Sequence, residues 1–145
     1  MSQTGVIGTA LGTLGKGGRG LSGTIGGGEG AEDRATPVET TDANFSREVE
    51  GFPGWCVVEF STAWCIPCRM FSEVVKRAVD PLLSTGKCKF VRHDVDRGPA
   101  VAERYVVYAV PALYVYSHGT VRGKLLGYHP EDEVRTFLTR IVGHP

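Results

Sequence analysis

The sequence predicts an α/β fold with a mixed central sheet and helices on both faces, and three features carry that reading. Short apolar runs of strand type alternate with segments of helical periodicity, the alternation closes in a hairpin, and all of it falls after residue 36. Parallel crossovers come first and the hairpin last, giving the order β-α-β-α-β-β-α, with a further strand at 37–40 ahead of it. The chain's 145 residues suffice for one domain and are too few for two of ordinary size.

Twelve of the 20 glycines precede Thr36, whereas all 8 prolines and every aromatic residue follow it. Residues 1–36 therefore read as a flexible Gly-rich extension, with little side-chain volume to bury and much backbone entropy to lose. Lys16, Arg19 and the lack of an acid before Glu29 also fit an organelle-targeting segment. Glycine this dense opposes the amphipathic helix such segments use.

Residues 37–145 form the expected domain. Asp42 is positioned to cap a short helix with Phe45 and Val49 on one face, ended by Gly51-Phe52-Pro53-Gly54. The run 56–60 suits a central strand covered on both sides, with Glu59 as its anomaly. A helix follows from about Pro67, where Phe71, Val74, Val75, Ala78 and Leu82 recur at helical spacing until Asp80-Pro81 is expected to break or kink it. Residues 89–95 supply the next strand. Pro99 then suits the first turn of a brief helix over 100–105. Strands at 112–116 and 121–126 flank a hairpin turn at Ser117-His118-Gly119-Thr120. The last helix begins near Pro130 with Glu131, Asp132 and Glu133 at its positive end, buries Val134, Phe137, Leu138 and Ile141, and stops at Gly143.

Composition narrows the function classes. Lys+Arg and Asp+Glu both total 16, which leaves no broad basic surface for nucleic acid. No run is long and apolar enough to cross a bilayer, so no membrane role is expected. A chain that is 41% hydrophobic can build a core without covalent staples, so its four cysteines, Cys56, Cys65, Cys68 and Cys88, read as chemistry before scaffold. Met1-Ser2-Gln3 and the glycine-interrupted run after it lack the pattern of a secretion signal, and a cytoplasmic, thiol-reducing setting is expected, with an organelle as the alternative.

The motif Trp64-Cys65-Ile66-Pro67-Cys68 stands where a strand ends and a helix begins. Two cysteines three apart in a first helical turn can close a small disulfide ring, and the free N–H groups and positive helix end favour a thiolate on the first sulfur. Cys65 is then the nucleophile and Cys68 the resolving thiol, with Pro67 fixing helical φ where no N–H partner is needed and Ile66 giving an apolar rim. Zinc would need two further ligands at metal spacing; Cys56, Cys88 and His93 stand alone, so no metal is expected.

From Pro37 onward the chain resembles thioredoxin, through residues 57–70, Asp94-Val95-Asp96, Val110-Pro111-Ala112, the hairpin and Gly127. The resemblance implies the thioredoxin fold and a protein-disulfide reductase working without a bound cofactor. It implies disulfide-containing target proteins and a thioredoxin-reductase-like electron donor as partners, and a monomer is the default for this size and fold. It makes Pro111 a cis-proline facing the CxxC motif, where the exposed Val110 backbone can pair with an extended substrate segment. Trp64 and Gly127 flank the same groove. Glu59 stands where thioredoxins usually carry a buried aspartate, and so is the expected proton acceptor for Cys68, with a pKa raised by desolvation. Arg92 replaces the usual lysine partner and is expected to hold Glu59 more firmly ionised, since arginine keeps its proton.

Ile66 replaces the usual glycine between the cysteines, so the balance between reductant and oxidant does not carry over. A second redox pair of Cys56 and Cys88 is conceivable if their strands adjoin; buried cysteines otherwise serve as small apolar fillers. Two other functions compete with the reductase: a binding or assembly module on the same fold, and an exported thiol-exchange protein.

Overall fold

The computed structural model describes residues 35–144. The extension expected over 1–36 thus lies outside the described residues except for Ala35 and Thr36, and Ala35 is already buried. Strands β1 (Val38–Thr40), β2 (Trp55–Ser61), β3 (Cys88–Asp94), β4 (Ala112–Ser117) and β5 (Thr120–Leu126) form one sheet in the order β1-β3-β2-β4-β5. β1 and β2 run parallel to β3, while β4 is antiparallel to both β2 and β5. The helical segments are α1 (Ser46–Glu50, a π-helical turn), α2 (Ile66–Leu83), α3 (Pro99–Arg104) and α4 (Glu131–Val142).

Alternation along the strands divides the core in two. Val57, Phe90, Leu113 and Val115 face one way, onto Phe71, Val75 and Val79 of α2 and Val134 and Leu138 of α4. Cys56, Val58, Phe60, Val91, Tyr114 and Tyr116 face the other, onto Phe45, Val49 and Val101. β2, central and buried from Cys56 to Ser61, therefore needs apolar side chains on both faces, and Glu59 is its exception.

Two local expectations are corrected. Asp42 does not cap the helix that follows it: its carboxylate accepts the N–H groups of Ala100 (3.0 Å) and Val101 (2.9 Å), the open first turn of α3. The residue before α3, Gly98, has no side chain to serve as a cap. The 45–50 segment instead closes with a wide turn in which Gly51 N–H donates to the Ser46 carbonyl at 2.8 Å. Nor does Asp80-Pro81 split α2, which continues to Leu83. Proline cannot donate to the carbonyl four residues back, Arg77; Arg135 of α4 donates to that oxygen instead, at 3.1 Å.

The hairpin turn has His118 and Gly119 both at positive φ (52° and 79°), the geometry that matches strand twist. Gly123 allows α4 to approach β5 closely: a Cβ there would overlap Ile141. Of the four apolar residues expected under α4, Val134 and Leu138 are fully buried and Phe137 and Ile141 pack at the margin.

Candidate active site

β2 delivers the chain to the C-terminal edge of the sheet, and α2 begins there after a short turn. Cys65 is the N-cap of α2, in extended conformation, and its Sγ accepts the Cys68 N–H at 3.2 Å. The side chain thus occupies the place a serine or aspartate oxygen takes in other helices, which directs partial positive charge at sulfur. Cys65 and Cys68 are joined as a disulfide with Cα atoms 5.2 Å apart. Pro67 sits in the first turn.

The two sulfur-bearing residues open on different spaces. Cys65, 5% exposed, lines an outer groove with Trp64, Ile66, Pro67, Tyr108 and Val110. Cys68, 2% exposed, lines an inner pocket with Glu59, Ser72, Lys76 and Arg92. Trp64 and Ile66 are exposed at the groove rim; Trp64 is held there by its indole N–H, which donates to Asp96 at 2.7 Å. The Val110–Pro111 peptide is cis. Gly127, at φ 82°, donates its N–H to the Pro111 carbonyl at 2.9 Å and so adjoins the same loop.

One contributor to the groove escaped the sequence reading: Tyr108, 90% exposed, lines it beside Val110. Tyr108 lies three residues before Pro111 in a segment without periodicity; an aromatic in a loop leading to that proline was the available signal.

Glu59 is completely buried, and neither carboxylate oxygen has a hydrogen-bond partner. Burial pushes its pKa up to about 7, with Arg92 and, more weakly, Ser72 and Lys76 pulling the other way. Arg92 is the charge partner expected for Glu59, but it stands off: the nearest approach is Nε to Oε1 at 3.7 Å, an ion pair too long for a hydrogen bond, and its pull toward the ionised form is outweighed by burial.

Cys56 and Cys88 do not form a pair. Cys56 is opposite Lys89 in the β2–β3 ladder and packs in the Phe45 cluster, while Cys88 is opposite Trp55 and packs with Phe90 beneath α2. The two side chains point to opposite faces of the sheet, and burial raises both thiols to about 12. Among the described residues no cluster of three His, Cys, Asp or Glu side chains is arranged to hold a metal ion.

A strand-to-helix junction carrying a dithiol at the helix N-terminus, opposite a cis-proline loop, defines a class of protein that exchanges thiols for disulfides. The comparisons specify the family. The thioredoxin family model matches residues 36–140. Thioredoxins of Staphylococcus aureus strains Mu50 and MW2 are each 32% identical over 103 residues, spanning 71% of this chain and 95% of theirs. A solved structure of a mutant thioredoxin from Halobacterium salinarum NRC-1 superposes with TM-score 0.63 at 23% identity, over 75% of this chain and 93% of that one, and speaks for the fold. The chain belongs to the thioredoxin family, whose members are protein-disulfide oxidoreductases.

Proposed function

We propose that this chain reduces disulfides in other proteins through its Cys-Ile-Pro-Cys motif, with Cys65 as nucleophile and Cys68 as resolving thiol. One observation carries the reading: Cys65 borders an exposed apolar groove while the residue it bonds to, Cys68, borders a separate pocket containing a buried carboxyl.

In the reduced protein the Cys65 thiolate attacks one sulfur of a target disulfide. That S–S bond breaks, a Cys65–target disulfide forms, and the displaced target thiolate takes up a proton. Cys68 then loses its proton to Glu59, directly or through a water, and attacks Cys65 Sγ. The mixed disulfide breaks, the second target sulfur leaves as thiolate and is protonated, and Cys65–Cys68 is left oxidised. Two electrons and two protons have passed to the target, and a flavoenzyme reductase or an equivalent dithiol donor restores the pair. Trp64, Ile66, Val110, Pro111 and Gly127 bind the target segment in extended form, and Pro67 holds the first turn of α2 in place. The size and fold support a monomer, and the two unpaired cysteines, Cys56 and Cys88, support a thiol-reducing compartment such as the cytoplasm.

Insulin reduction with a dithiol donor tests this. Cys65→Ser and Cys68→Ser both fall to the rate of the donor alone, and Cys68→Ser accumulates a covalent adduct released by reductant. Wild-type turnover by either variant removes the mechanism, and a chain that binds partners without trapping them is a docking module.

A further inference from the structure

A row of charge runs from the inner pocket out to the edge strand β1, and the exchange reaction uses only part of it. Glu39 on β1, Arg92 on β3 and Glu59 on β2 stand opposite one another in register, so one guanidinium lies between two carboxylates. It does not divide itself equally. Arg92 Nη1 donates to Glu39 at 3.1 Å and Nη2 donates to the Ser72 hydroxyl, whereas only Nε comes near Glu59, at 3.7 Å. A guanidinium committed to Glu59 would present its fork and make paired bonds of about 2.8 Å. Both Glu59 oxygens instead lack a partner although the side chain is sealed from solvent.

Among the other elements around Glu59, only Ser72 and Lys76 of α2 favour its ionised form, each more weakly than Arg92. β4 places Leu113 opposite it. α2 presents Cys68, Arg69, Ser72, Glu73 and Lys76 to the pocket. Of these, Lys76 is held by Glu73 at 3.3 Å and Arg69 donates to the Ala63 carbonyl at 3.1 Å.

We propose that Glu39 is a positioning residue for the exchange reaction: by holding the Arg92 guanidinium toward the outer edge of the sheet, it withholds that cation from Glu59 and keeps the buried carboxyl able to take up and return a proton. A guanidinium closed onto Glu59 would leave it ionised and weakly basic, unfit to accept the Cys68 proton. Glu39's own negative charge acts in the same direction. The inference rests on Glu59 as proton acceptor, and the experiment separates the two.

In the full chain labelled with ¹³C-glutamate, the Glu59 carboxyl carbon is titrated by NMR, its signal assigned by its loss in Glu59→Gln. In parallel, the rate at which Cys68 resolves a preformed mixed disulfide is followed against pH. Glu39→Gln lowers the Glu59 midpoint by roughly half a pH unit, the scale of one largely solvent-facing ion pair. Glu39→Asp restores most of the shift and Arg92→Gln moves the midpoint up; the kinetic inflection follows the midpoint in each variant. A midpoint unmoved by Glu39→Gln overturns the inference, even where the wild-type inflection still tracks Glu59. A loss of thermal stability without a moved midpoint shows a merely structural Glu39 and overturns it too. A midpoint that moves while the inflection stays put removes the proton-acceptor role of Glu59, and with it any part for Glu39 in exchange.

Discussion

Four cysteines share one small domain, and the contrast between Cys65–Cys68 and Cys56/Cys88 shows what makes a thiol reactive. All four are buried by residue exposure, so burial alone does not separate them. The difference is what surrounds each sulfur. Cys65 sits at a helix N-terminus, accepts a backbone N–H and opens on a groove; Cys68 is bonded to it and shares a pocket with Glu59. Cys56 and Cys88 are strand residues on opposite faces of the sheet, among aliphatic and aromatic side chains. An apolar setting penalises the thiolate by more than Lys89 offsets at either site, whereas a helix end supplies fixed partial charge without the cost of burying an ion.

The largest expected effect is therefore kinetic. With thiols raised to about 12, the thiolate fraction of Cys56 and Cys88 at pH 7 is on the order of 10⁻⁵, and native alkylation of either is slower than that of Cys65 by about three orders of magnitude or more. Iodoacetamide labelling of the fully reduced chain, read by peptide mass mapping, should modify Cys65 first and reach Cys56 and Cys88 only in denaturant. Comparable native rates at all four sites would break the contrast.

A second expectation concerns stability and sharpens the role of the inner pocket. Glu59 ionises near pH 7 when folded, against about 4.3 in an unfolded chain. Between those values the folded state holds the extra proton, so the protein loses stability as pH rises through the window, and the full penalty is present above pH 7. The full penalty is about 3–4 kcal/mol, of which about 1 kcal/mol is already present at pH 5. Urea unfolding of the oxidised chain should show the difference between Glu59→Gln and wild type growing by about 2–3 kcal/mol from pH 5 to pH 8, with the variant the more stable at pH 8. The same variant slows resolution of a mixed disulfide at pH 7 by roughly 10- to 100-fold if the carboxyl is the base. A pH-independent difference would place Glu59 in a solvated or hydrogen-bonded setting instead.

What could be read from the sequence follows the range of the forces involved. The strand alternation, the helical spacing in α2 and α4 and the hairpin are local patterns, and each element appears within a residue or two of its expected place. The dithiol was legible because strand, motif and helix are contiguous. Partners distant in sequence were not. Asp42 caps a helix 58 residues away, Arg135 relieves the carbonyl that Pro81 leaves open, and Glu39 competes with Glu59 for Arg92. In each case a charged side chain satisfies a demand created on another element, and neither the spacing nor the composition of the chain near that side chain records the demand. The distance Arg92 keeps from Glu59 was hidden for the same reason: residue types give the sign of an interaction, whereas register and distance decide which of two carboxylates receives it.

The smallest expected effect tests the other half of the contrast, that Cys56 matters only as volume. Cys56 is 0% exposed, opposite Tyr116 on β4 and packed among Val58, Val91 and Phe45, so Cys56→Ala removes one sulfur's worth of contacts and costs about 1 kcal/mol. Cys88, 8% exposed at a strand start, should tolerate alanine with a smaller loss. Cys56→Ser costs more than Cys56→Ala despite its closer shape, because a hydroxyl in that cluster must find an acceptor and the strand carbonyls are already engaged in the ladder. All three variants should reduce insulin at the wild-type rate. The ordering Ser below Ala, at full activity, is the signature of a filler; activity lost in step with thiol content would instead draw Cys56 into the redox chemistry and dissolve the distinction between the two pairs.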